Sequence, residues 1–180
     1  MDLNAINRMG SAVFIDTFGN VFEHSPWVAQ SAWKAQPFAT YDTLYQAMFD
    51  AVRHAPTTQI LDLLRAHPDL AGKEAQEGTM TTNSVSEQAS AGLDALSKDE
   101  MKSMQRLNAA YRAKHGFPFI IAVRNYSKSE IFKEFERRLQ HDTEIEFHNN
   151  LEQIFDIVGM RLDRLLSRYS AQENSERKVA

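Results

Sequence analysis

The sequence predicts an all-α fold: a helical bundle in a single domain over residues 1–170, followed by a polar C-terminal tail at 171–180. Three observations predict it. Apolar residues recur at spacings of three and four, and alternating apolar–polar runs are scarce. The helix-start pattern Ser-x-x-Glu occurs at Ser84–Glu87, Ser97–Glu100 and Ser127–Glu130. Pro26 and Gly116 stand where helices begin and end.

The elements follow in order. "SPWVAQSAWKAQ" offers Ser25 as an N-cap with Pro26 in the first helical position, where a missing N–H costs nothing. "TYDTLYQAMFDAVRHA" places Leu44, Met48 and Val52 on one helical face, and "TTQILDLLRAH" does the same with Ile60, Leu63 and Leu64. Ala71 to Asn83, with Gly72 and Gly78, reads as a polar loop. The three Ser-x-x-Glu boxes predict helices over 84–94, 97–115 and 127–140. "GFPFIIAVRN" (116–125) is apolar and β-rich, and reads either as a short strand or as a buried helix start. A long last helix carries Ile145, His148, Leu151, Phe155, Val158, Leu162, Leu165 and Tyr169 as a stripe.

Composition narrows the function. With 180 residues, 43% hydrophobic and 24% charged, the chain has the balance of a soluble globular protein. A net charge of −4 is not the basic footprint expected of a nucleic-acid or anionic-membrane binder. The absence of cysteine rules out disulfides and thiolate zinc sites. No apolar run approaches a membrane span, and the first residues lack a signal-peptide core, so the expected location is the cytoplasm. Neither a Walker loop, GxGxxG nor GxSxG occurs.

Several side chains have the means for chemistry. In "LLRAHPDLAGK", His67 ends a helix and Pro68 restricts its backbone, which would fix the direction of the imidazole. A helix C-terminus favours the cation and burial the neutral ring, so the two compete near neutral pH, where a general base or acid works best. Taken locally, His67 reads first as a helix-end residue contacting the last carbonyls, with Pro68 as a stop signal. Ser84 and Glu87 read as a cap, whereas Gln88 is left unexplained and offers an amide that both donates and accepts. Arg124, after five largely apolar residues, reads either as a fork for a carboxylate or as a snorkelling surface group. His141, Glu144 and His148 have metal-like spacing without a third cluster. Glu23 and His24 precede a helix, and Trp27 and Trp33 read as core. These residues alone leave open an interaction module, a metal-dependent hydrolase and a cofactor-free enzyme.

Four segments in order carry a resemblance: "FGNVFEHSPWVAQSAW", "LLRAHPDLAGK", "SVSEQASAGLDALS" and "LNAAYRAKHGFPFIIAVR". Together they resemble the OHCU decarboxylases over residues 10–165. The resemblance implies an all-helical homodimer and a carboxy-lyase acting on 2-oxo-4-hydroxy-4-carboxy-5-ureidoimidazoline in urate breakdown. It implies a small-molecule substrate and no cofactor or metal, and no nucleic-acid or membrane partner is expected. Its motif positions fall on His67 and Glu87 as catalytic residues and on Pro68, Ser84, Gln88 and Arg124 as substrate-binding residues. His115 stands where the family commonly has an aromatic.

Overall fold

In the computed structural model the backbone is described through residue 176 and the side chains through residue 167. Among the described residues there are ten α-helices, one 3-10 helix and no strand. In chain order they are α1 (Leu3–Asn7), α2 (Ser11–Phe18), α3 (Trp27–Trp33), α4 (Tyr41–Arg53), α5 (Thr57–Arg65), α6 (Lys73–Glu77), α7 (Thr82–Ser90), α8 (Lys98–His115), η1 (Val123–Asn125), α9 (Lys128–Arg138) and α10 (Thr143–Glu176). The side chains of Tyr169 and of the expected tail at 171–180 lie outside the described residues. The chain divides into two compact units, Met1–Leu63 with Val158–Ala180, and Leu64–Ile157.

In the first unit α3 packs on α2 and α4. Leu44, Met48 and Val52 of α4 are fully buried, as their spacing predicts. Phe14, Phe18, Phe22 and Val28 complete this core. The helix after Pro26 begins at Trp27, and no side chain caps it; Ser25 is buried instead. Glu23, next to the exposed His24, is also buried and pairs with Arg161 at 3.2 Å, while Arg161 donates to the Val21 carbonyl. Trp27 and Trp33 are half-buried, and Trp33 donates its indole N–H to the Met9 carbonyl.

The second unit holds the candidate site. Ser97 and Ser127 cap α8 and α9 with both arms of the capping box, and Gly116 ends α8 in the left-handed region at φ 78°. Ser84 is not a cap. Thr81 takes that place one residue before α7, accepting from the Ser84 N–H, so Ser84 and Glu87 lie inside the helix. The expected polar loop at 71–83 contains α6, which ends at Gly78.

The apolar segment after Gly116 is neither strand nor helix until η1. It crosses the interior as irregular backbone, and buried polar backbone needs partners. Side chains provide them. Asn150 accepts from the Ile120 N–H at 3.0 Å and donates to the Pro118 carbonyl at 3.0 Å. Gln153 accepts from the Ala122 N–H, and Arg138 donates to the Ile120 carbonyl. Arg138 also pairs with the fully buried Glu146 at 2.8 Å and lies over the Phe119 ring. Tyr111 donates its hydroxyl to the same carboxylate. Burial alone would raise the Glu146 pKa, but the Arg138 and Tyr111 hydrogen bonds outweigh it and hold the carboxyl below its usual range.

This network turns the first half of α10 away from the expected register, whereas Val158 and Leu162 are buried as expected. Glu146, Asn150, Ile154, Val158 and Leu162 face inward, whereas Ile145 is 49% exposed and His148 is exposed. His115 acts as an aromatic. It is buried, stacks on Phe117 and donates or accepts through Nδ1 at Thr143, and burial lowers its pKa.

Two predictions follow from these contacts. Arg138→Met leaves the buried Glu146 carboxylate without its cation and should destabilise the protein by about 3–5 kcal/mol in urea unfolding; a loss under about 1 kcal/mol would show that the pair is solvated. For His115, the folded-state pKa lies below 6.5, so the unfolded chain binds the proton more readily and this ring costs stability as pH falls below 6.5. The stability of His115→Phe relative to the parent should therefore rise between pH 7.5 and pH 5. A difference that is constant with pH would contradict the burial argument.

Candidate active site

The loop after α5 begins the site. His67 is 6% exposed, and its N–H donates to the Leu64 carbonyl in a last turn beyond the helix. Two residues earlier, Arg65 donates from Nε to the Gly116 carbonyl at 3.1 Å, anchoring the end of α5 to the end of α8. Pro68 is half-buried and has no N–H to bond. The chain then turns through Ala71, whose φ of 46° is rare for a residue with a side chain. Gly72 follows because there is no room for more: a Cβ there would stand 2.6 Å from the Asp69 Cβ.

Side chains from two helices hold this turn. Gln88 of α7 accepts from the Ala71 N–H at 2.8 Å and donates to the Asp69 carbonyl at 3.3 Å. Asn108 of α8 donates to the Leu70 carbonyl at 2.9 Å. Arg112, one turn further along α8, donates from Nε to both Asp69 carboxylate oxygens at 2.9 Å. Burial raises the Asp69 pKa, the hydrogen bond and charge of Arg112 offset part of that rise, and the charge of Glu74 adds to it.

Helix α7 presents the second group. Ser84, Glu87 and Gln88, at spacings of three and one, are 5%, 8% and 6% exposed and share its inward face. Thr81, not Ser84, is the N-cap of this helix. Thr81 also donates its hydroxyl to the Ser84 Oγ. Ser84 sits in the first turn of a nine-residue helix, where the backbone dipole favours negative charge.

Arg124 enters from η1, which packs on α7. Its Nη2 donates to Ser86 at 3.1 Å, and its Nε is buried with no hydrogen-bond partner in the protein. The guanidinium is thus held at one end and offers a desolvated N–H at the other.

Of the six sequence candidates, Gln88 joins α7 to the His67 loop and Arg124 joins α7 to η1, so His67, Pro68, Ser84, Glu87, Gln88 and Arg124 all belong to this one set of linked elements. The Gln88 amide both accepts and donates, and what it bonds is the loop; its Nε2 also lies 3.3 Å from the Met80 sulfur. Sequence reasoning missed Asn108 and Arg112, although both lie in the quoted segment that begins at Leu107. The expected stripe of His141, Glu144 and His148 does not share one helix: His141 lies before α10 and bonds Glu146, and no cluster of three metal-binding side chains is found among the described residues.

The chain is similar to known proteins along most of its length. The family described as OHCU decarboxylase matches residues 7–163. A 2-oxo-4-hydroxy-4-carboxy-5-ureidoimidazoline decarboxylase of Haloferax volcanii is 42% identical over 162 residues, covering 90% of this chain and 94% of that protein. The Xenopus laevis enzyme of the same description is 40% identical, covering 90% and 93%. A crystal structure of (S)-allantoin synthase matches with a TM-score of 0.72 at 33% identity, over 93% of this chain and 54% of that longer one.

Proposed function

We infer the roles of these residues from one premise: this chain belongs to the OHCU decarboxylase family. The reaction is the decarboxylation of 2-oxo-4-hydroxy-4-carboxy-5-ureidoimidazoline to (S)-allantoin, a carboxy-lyase step in urate degradation. The observation that supports this site for it is Arg124, whose buried Nε offers an N–H to a polar ligand beside the inward face of α7.

The substrate contains its own electron sink. When the bond from the ring carbon to the carboxylate breaks, its electron pair forms a carbon–carbon double bond and the adjacent C=N nitrogen takes the charge and a proton. The ring hydroxyl then loses its proton as the carbonyl forms, and the neighbouring carbon gains one to give allantoin. No pyridoxal or thiamine is required to hold the electrons. The protein must orient the carboxylate across the conjugated plane, move these protons and choose one face.

His67 is the base for the hydroxyl proton, and Glu87 orients it and supports its charge. Ser84 and Arg124 bind the polar ring and ureido edges, and the α7 N-terminal turn favours the anionic substrate. Pro68 fixes the backbone beside the base. Gln88 contributes through the loop that its amide holds. The protein acts in the cytoplasm as a homodimer. Ile145, an apolar side chain 49% exposed on α10, is one that a partner copy would cover.

Freshly oxidised and hydrolysed urate provides the test. Wild-type protein should produce a strong circular-dichroism signal of (S)-allantoin, whereas unaided decay returns the proton to either face and gives racemate. A transition-state bias of about 3 kcal/mol already yields over a hundredfold preference. His67→Asn should stay folded and lose about two to four orders of magnitude in kcat. A flat signal from folded wild-type protein, or near-normal kcat in the variant, would reject the assignment of the site. For the dimer, light scattering at micromolar concentration should give twice the chain mass, and Ile145→Glu should lower it; a monomeric mass for the parent rejects it.

A further inference from the structure

We propose that Asn108 and Arg112 of α8 are positioning residues for His67, acting through the backbone of the Pro68–Gly72 turn. The inference rests on the reading of His67 as the base.

The turn cannot hold its own shape. Pro68 has no N–H, Ala71 occupies the left-handed region without being glycine, and no helix or strand spans residues 66–72. Left to itself, such a segment samples many conformations, and the imidazole at its start would move with it. In this protein every residue from Asp69 to Ala71 is bonded to a side chain of α7 or α8. Gln88 takes the Ala71 N–H and reaches the Asp69 carbonyl, Asn108 reaches the Leu70 carbonyl, and Arg112 grips the Asp69 carboxylate. Gly72 returns its N–H to the Asp69 carbonyl. From the other side, Arg65 and the His67 N–H fix the end of α5. His67 is therefore the junction between two anchored pieces of backbone.

Asn108 shows that the arrangement serves the turn rather than stability alone. Its Nδ2 is bonded to Leu70, but its Oδ1 is buried with no hydrogen-bond partner. An unmet buried acceptor costs free energy that an apolar side chain of the same shape would avoid. The amide is worth keeping for what its donor end does to the Leu70 carbonyl. Arg112 has the matching logic: it neutralises a carboxylate that burial disfavours and draws it toward α8.

The test is steady-state kinetics on Asn108→Leu, Arg112→Gln and the double variant Asp69→Asn/Arg112→Gln, with His67→Asn alongside. The Arg112 side chain is 37% exposed, so Arg112→Gln is expected to fold, and that variant alone can decide. At 15 °C, well below unfolding, each should lose about 10- to 100-fold in kcat, the scale expected when a catalytic group shifts by an ångström. KM should stay within about threefold, because the substrate-binding groups are not altered. The double variant should lose no more than Arg112→Gln, since the pair acts as one anchor. A purely structural role would lower the melting temperature yet leave kcat of the folded protein unchanged at 15 °C. Unchanged kcat in folded Arg112→Gln therefore overturns the proposal even if His67→Asn is inactive. An active His67→Asn overturns instead the assignment of the base.

Discussion

The structure depends on a stretch of buried backbone with no regular partner. Residues 117–122 are apolar enough to enter the interior, but they pair with no strand there. Each N–H and carbonyl taken from water must be matched by something else. Asn150, Gln153 and Arg138 meet that demand, and Arg138 brings Glu146, which in turn engages Tyr111 and His141. One buried segment thus sets the facing of α10, the anchoring of α9 and the starting point of η1. Arg124 follows directly from that segment, so the same constraint determines where the guanidinium stands beside α7.

The site obeys the same rule at a second place. The turn after His67 is also irregular backbone served by side chains from neighbouring helices, this time Gln88, Asn108 and Arg112. A helix can place a side chain accurately because its own hydrogen bonds fix the backbone. A turn has no such internal frame and must borrow one. Here two helices lend it, with three side chains holding the three residues from Asp69 to Ala71.

Apolar helical faces were legible in the sequence because burial of spaced apolar residues is a local signal. Leu44, Met48 and Val52, and Ile60, Leu63 and Leu64, lie where periodicity puts them. The caps at Ser97 and Ser127 and the stop at Gly116 were equally plain. What misled was polarity. Ser84 and Glu87 have the spacing of a cap, yet Thr81 supplies the cap and both lie buried within the helix. The segment 71–83 looked like solvent-facing loop and holds α6. Helix α10 was read by its apolar stripe, but in its first half Glu146 and Asn150 are the inward residues, because the backbone they serve lies far away in sequence. The candidate site came mainly from the family resemblance: local reading favoured ordinary explanations for His67 and Ser84. Asn108 and Arg112 were illegible because a donor on one helix says nothing about which distant carbonyl needs it.

The division of the chain has a consequence for how it is made. The second unit is continuous from Leu64 to Ile157, so all its partners leave the ribosome together. The first unit is not: its buried Glu23 awaits Arg161, 138 residues later. At synthesis rates of about 5–20 residues per second, that wait is roughly 7–28 s. For that time the acid and the apolar residues around it have no finished home on the nascent chain, and the unit that carries the site, whose last residue Ile157 precedes Arg161 by only four positions, is completed at the end of the same interval.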